Sequence, residues 1–178
     1  MSRRKERQHR RDAAVGRTPR PENPPHPAVL ALSEKFGPPG IDLRQARIID
    51  DYGEDSSATH PIRHLSPWDV SREDCEFYQS FVFMGGCPTS LLFYLYPVAL
   101  LYDQSGHLEA VHSFLFALNA YLPDLLTETT TSDQATLAEG LIWMYEAHGP
   151  DPDLFAGFEN LIPLLGEERA AAIRQEFP

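Results

Sequence analysis

The chain has 178 residues, 42% apolar and 23% charged, with a formal net charge of −11. This composition fits one soluble globular domain plus tails, since roughly 110–150 residues can bury a core unaided by disulfides or metals. It excludes a wholly basic nucleic-acid-coating protein and a fully disordered chain, and two cysteines exclude a disulfide scaffold.

The charge is uneven. Residues 1–20 carry eight of the fifteen basic side chains (Arg3, Arg4, Lys5, Arg7, Arg10, Arg11, Arg17 and Arg20) against Glu6 and Asp12. That segment is +6, so the remaining 158 residues carry −17. Between Arg72 and Arg169 lie 96 residues with fifteen Asp and Glu and no Lys or Arg. Average composition would place roughly a dozen basic residues there. A body of this kind is expected to lack internal salt bridges, to repel itself, and to repel nucleic acid and anionic membranes.

The basic tail is expected to be disordered. It admits three readings: a solvated terminus, a weak non-specific contact to nucleic acid through phosphate neutralisation, or a segment that folds back on its own acidic body. No aromatic residue interrupts it, so it offers no base stacking. No apolar stretch follows the basic run, which argues against a secretory signal and for a cytoplasmic protein. The Arg content suits a mitochondrial transit peptide, but the acids and the scarcity of Ser do not.

Residues 19–27 hold five prolines and read as a stiff spacer. Pro27 opens a short helix bearing Val29, Leu30, Leu32 and Phe36, which Gly37-Pro38-Pro39-Gly40 stops. Asp42 caps a second element over Leu43 to Tyr52, where Ile48-Ile49 also suits a strand. Residues 53–65 are polar and irregular. The core is expected to begin near Ser66. Ser66 with Asp69, and Ser71 with Asp74, are helix-start patterns. A helix over about 71–84 would carry Cys75, Tyr78, Phe81 and Val82 on one face, ending at Gly85-Gly86. Pro88, with Cys87 as its cap, starts a helix that is apolar all round from Leu91 to Leu101, hence central, and Pro97 should kink it.

Asp103 to Gly106 reads as a turn, and a hairpin over residues 100–116 competes with helices there. The spacing of Leu108, Val111, Phe114, Leu115, Leu118 and Leu122 favours a helix closed by Pro123. Thr131 and Gln134 are spaced as a capping box for a helix lined by Leu137, Leu141, Ile142 and Tyr145. Leu154, Phe155, Phe158, Leu161, Ile162 and Leu165 line another. Glu167 and Glu168 open the last, which buries Ala170, Ile173 and Phe177.

The order Trp68, helix, Phe81-Val-Phe-Met84, loop, Phe93-Tyr-Leu-Tyr-Pro97-Val-Ala-Leu-Leu101 resembles a family of small, mostly helical, uncharacterised bacterial domains. Ser113-Phe-Leu-Phe-Ala-Leu118 and Leu164-Leu-Gly-Glu-Glu-Arg-Ala-Ala-Ala-Ile173 extend the likeness over residues 63–177. Residues 123–150 are longer than that family's pattern. The resemblance implies a compact helical bacterial domain and no particular activity.

Few residues carry a chemical signature. Glu109 and His112 form one Glu-x-x-His pair, whereas di-iron bundles need two such pairs and two further glutamates. His60 and His64 have zinc-like spacing, but Cys75 and Cys87 are too far apart for a structural Cys pair. Residues 77–102 lack charge, yet Gly-Gly and Pro97 interrupt them, which favours a buried core over a membrane span. Cys87 follows Gly85-Gly86 at the start of a helix, where the dipole lowers a thiol pKa and His107 or His112 would serve as base.

The expectation is therefore an all-α, compact bundle of about six helices over residues 66–177. A basic tail over 1–26 and short helices over 27–65 precede it. The function expected is non-enzymatic: an adaptor or immunity-like protein whose acidic face (Glu139, Glu146, Asp151, Asp153) docks on a basic protein partner, with no cofactor and no metal. The alternative is a small cysteine-dependent enzyme built on Cys87.

Overall fold

The structure, a computed structural model, describes residues 22–52, 62–105, 108–148, 164 and 166–176. It is all-helical, with no strand among the described residues. Among the described residues seven α-helices follow in order: α1 (Pro27–Lys35), α2 (Leu43–Tyr52), α3 (Arg72–Tyr78), α4 (Ser90–Ser105), α5 (Leu108–Glu128), α6 (Thr131–His148) and α7 (Glu167–Glu176). Two 3-10 turns, Pro67–Asp69 and Phe81–Met84, flank α3. The basic tail and the helix expected around Leu154 to Leu165 fall outside the described residues.

The central element is α4. Every side chain from Leu91 to Leu100 is buried, and α1, α5 and α6 pack around it. The core begins well before Ser66, because Val29, Leu30, Leu32, Leu43 and Ala46 join the same apolar cluster as Leu141 and Ile173. The polar connection over residues 53–65 hides this continuity in the sequence, since burial is decided by neighbours in space. Gly140 lets α6 approach α4 closely: a Cβ there would lie 2.9 Å from Leu95 Cδ2.

A single hydroxyl ties α1 into α4. Ser33 is fully buried; its Oγ accepts from Tyr96 N at 3.0 Å and donates to Leu92 O at 2.9 Å. These are the amide and carbonyl that an uninterrupted helix would pair with each other. Ser33 thus enters the ladder of α4 one residue before Pro97, whose ring removes the next donor.

The capping signals are confirmed at three starts. Ser66 with Asp69 and Ser71 with Asp74 are reciprocal capping boxes. Asp42 accepts from Gln45 N at 2.8 Å while Gln45 returns a bond to Asp42 N, so residues 43–52 are helix rather than strand. At α6 the box is one residue earlier than expected. Thr130 and Asp133 exchange the backbone bonds, and Gln134 instead donates to Leu126 O and Thr129 O at the end of α5.

Other boundaries differ for definable reasons. The helix expected over 71–84 breaks at Gln79, which adopts φ 31. Its carbonyl accepts the Ser113 hydroxyl and that of Val82 accepts Tyr121, so α5 takes over carbonyls that a continuing helix would have used. Pro88 does not open α4; Cys87 and Pro88 carbonyls accept from Ser90 N and Leu91 N in a turn, and the helix starts at Ser90. The turn expected at Asp103 is the last turn of α4, and the hairpin reading falls with it. Pro123 lies inside α5 rather than closing it. The helix survives because Leu125 is buried beyond the proline and because Thr127, Thr129 and Gln134 satisfy the terminal carbonyls.

Replacing Ser33 by Ala removes both bridging bonds. Ser33→Ala should lose about 1–3 kcal/mol of unfolding free energy in urea titration. An unchanged denaturation midpoint would show that the ladder of α4 closes without the hydroxyl.

Candidate functional site

Exposed acidic residues of the Lys- and Arg-free stretch sit on α4, α5 and α6. Glu139 on α6 is exposed, as are Asp103 on α4 and Glu109, Asp124 and Glu128 on α5. Glu146 is also exposed, but Arg169 of α7 donates to its Oε1 at 2.7 Å. Asp151 and Asp153 lie outside the described residues.

The expected absence of internal salt bridges is corrected here. Cations from beyond the Lys- and Arg-free stretch reach into it. Lys35 Nζ lies 2.7 Å from both carboxylate oxygens of Asp133, joining the last turn of α1 to the first turn of α6. Both charges also oppose their helix dipoles favourably. The bond from Lys35 holds the Asp133 carboxyl below the usual carboxylate range, against the smaller effect of burial. Arg72 Nε lies 2.6 Å from Glu76 Oε1, one helical turn along α3. Sequence separation concealed the first pair, which spans 98 positions.

Cys87 is half-buried in the turn before α4, with its Sγ 3.6 Å from Thr89 Oγ1. Its sulfur packs on the backbone of the α1–α2 loop: a Cβ added at Gly40 would lie 2.4 Å from it. Among the described residues no histidine is hydrogen-bonded to it. His64 spends both ring nitrogens elsewhere, His26 stacks on Trp143, and His107 lies outside the described residues. His112 Nε2 is buried without a hydrogen-bond partner among the described residues. The expected Cys–His arrangement is therefore not assembled by these residues. No group of three or more His, Cys, Asp or Glu placed to hold a metal occurs among the described residues.

A buried polar chain that the sequence did not single out runs beneath α3. His64 is 3% exposed. Its Nδ1 lies 2.8 Å from the Tyr94 hydroxyl and its Nε2 lies 3.3 Å from Asp74 Oδ2. Tyr94 Oη also accepts Leu43 N at 3.0 Å. With the imidazole proton on Nε2, that proton goes to Asp74 and Nδ1 accepts the tyrosine proton, so each group has a match. Burial and the Asp42 carboxylate push the Tyr94 phenol well up. Burial also raises Asp74, but bonds from His64 and Ser71 outweigh it and bring the carboxyl down to about 2. The neighbouring Cys75 thiol is pushed up to about 12 by burial and then by Asp74 and Glu76, which makes it an inert packing group.

Beside this chain a cavity of about 260 Å³ opens between the Pro67–Asp69 turn and the Pro97 turn of α4. Trp68, Arg72, Cys75, Tyr96 and Gln104 line it, and Cys87 does not. Among the described residues no helix is long and apolar enough to cross a membrane.

The lowered Asp74 pKa sets a pH dependence. The folded carboxyl titrates near 2 against 3.8 for the unperturbed group, so its contribution is complete above about pH 4 and is lost as pH falls through about 2. The shift corresponds to about 2 kcal/mol. Asp74→Asn should lose that much at pH 7 and flatten the decline in urea stability between pH 4 and pH 2. An unaltered decline would place the acid sensitivity elsewhere.

Set against protein-family models, curated proteins and solved structures, the chain matches none.

Proposed function

We propose that the chain is a non-enzymatic binding protein, of adaptor or immunity type, whose acidic helical body docks on a basic protein surface. The observation that carries this reading is the charge on α4, α5 and α6. Exposed Asp103, Glu109, Asp124, Glu128 and Glu139 stand on helices that contain no Lys or Arg at all. The cations Lys35, Arg47, Arg72 and Arg169 each lie on a carboxylate and are locally neutralised. On α4, α5 and α6 what remains outward is carboxylate, which steers a positive partner and repels anionic competitors. The basic tail supplies a second, weaker mode, touching nucleic acid through phosphate. A cytoplasmic setting suits such encounters.

The cysteine-dependent alternative draws no comparable support from geometry. Cys87 faces Thr89 and the backbone of the α1–α2 loop, with no base bonded to it among the described residues.

Two experiments separate these readings. Binding to a basic partner captured from the native host should weaken steeply from low to physiological salt, mainly through association rate. Glu128→Lys and Glu139→Lys should each weaken it about fivefold, the equivalent of ~1 kcal/mol per charge. Affinity indifferent to salt and to both reversals would defeat the acidic-interface reading. For the thiols, mild alkylation at neutral pH should leave Cys75 unlabelled until the chain unfolds and label Cys87 no faster than free cysteine. A Cys87 that reacts at least about tenfold faster would favour the enzyme instead.

A further inference from the structure

We infer that the basic N-terminal segment, residues 1–21, docks on the exposed face of α6 on either side of Trp143, with Glu139 and Glu146 as its anchors. The inference rests on the acidic-face reading, since the tail would occupy carboxylates that a basic partner also uses.

The position at which the chain arrives is set by His26. Its ring stacks on Trp143 with centroids 4.3 Å apart and planes 21° from parallel. His26 holds φ 46 at the N-cap of α1, immediately before Pro27. The preceding segment is thereby delivered to α6. Glu139 lies four residues before Trp143 and Glu146 three after it, so both share its side of the helix. Both are exposed.

This face already takes a guanidinium: Arg169 Nη2 lies 2.7 Å from Glu146 Oε1. The tail is rich in the same group, with seven arginines in residues 1–20. α6 itself carries no Lys or Arg, and the cations seated on it are Lys35 on Asp133 and Arg169 on Glu146, so Glu139 is the free anchor and Glu146 is shared with Arg169.

Reach is sufficient. Arg20 is six residues and Arg17 nine residues from His26, which corresponds to ~20 and ~28 Å of extended Pro-rich chain. Glu139 is only ~6 Å from Trp143 along the helix axis. A short tether holds the local concentration of tail in the millimolar range. Weak exposed ion pairs, several acting together, then suffice to keep it docked.

The chain's lysine content supplies the test. Lys5 and Lys35 are its only lysines, and Lys35 is bound to Asp133. Zero-length carbodiimide coupling of the dilute full chain, read by mass spectrometry, reports which carboxylates Lys5 meets. The Lys35–Asp133 link is the internal control for a folded chain. At about 20 mM salt Lys5 should couple within one chain to Glu139 or Glu146, and the yield should fall at least about threefold near 500 mM. The double variant Glu139→Gln, Glu146→Gln should lose those links while keeping the control.

Lys5 links spread evenly over Asp103, Asp124 and Glu128, or formed only between chains in an isotopically mixed sample, would overturn the inference. So would an equal yield at both salt concentrations. Capture of a basic partner with no Lys5 link would overturn it while leaving the acidic-face reading intact. Links to Glu139 or Glu146 without any basic partner would support it while that reading failed.

Discussion

Between Leu91 and Leu100 no side chain of α4 reaches solvent, so this helix has to be covered on every side. A helix without a polar face cannot orient itself by amphipathicity; its neighbours must supply the boundaries. α1, α5 and α6 do so, and Gly140 removes the side chain that would hold α6 away from Leu95. The cost of such burial is any backbone group left without a partner. At the one place where α4 is interrupted, next to Pro97, the Ser33 hydroxyl meets that need with one accepted and one donated bond. The short helix α1 is thereby an integral part of the core, although 54 residues separate it from the start of α4.

Polar groups inside the molecule follow the same logic. His64, Tyr94 and Asp74 join the segment after α2, the central helix and the start of α3 through matched donors and acceptors. Asp74 is shared between this chain and the cap of its own helix, so one carboxylate serves two elements. The depressed Asp74 pKa and the raised Cys75 and Tyr94 pKa values are consequences of this burial and pairing. They centre on Tyr94, which is fully buried.

At the surface, two cations of the body tie elements together, while Arg47 and Arg72 pair within their own helices. Lys35 links α1 to α6, and Arg169 links α7 to α6. Both pairs end on α6, the helix on which His26 also stacks. The face of α6 is thus where the arriving N-terminal chain and two existing cation contacts coincide.

The sequence by itself determined the local physics. Cap residues such as Ser66, Ser71 and Asp42, the helical spacing from Leu108 to Leu122, and the all-apolar run from Leu91 carry their meaning within a few positions, so the all-α class and most helix starts were legible. The exclusion of Lys and Arg from residues 73–168 was legible for the same reason. Tertiary structure alone decided what depends on distant partners. Gln79 leaves the helical conformation where Ser113 of α5 takes its carbonyl. α5 passes through Pro123 because Leu125 finds the core and Gln134 caps the end. Lys35 meets Asp133 across 98 positions, and Cys87 meets Gly40 and Thr89. Such pairings arise when the chain closes on itself, and no local pattern of residues encodes which distant group will arrive.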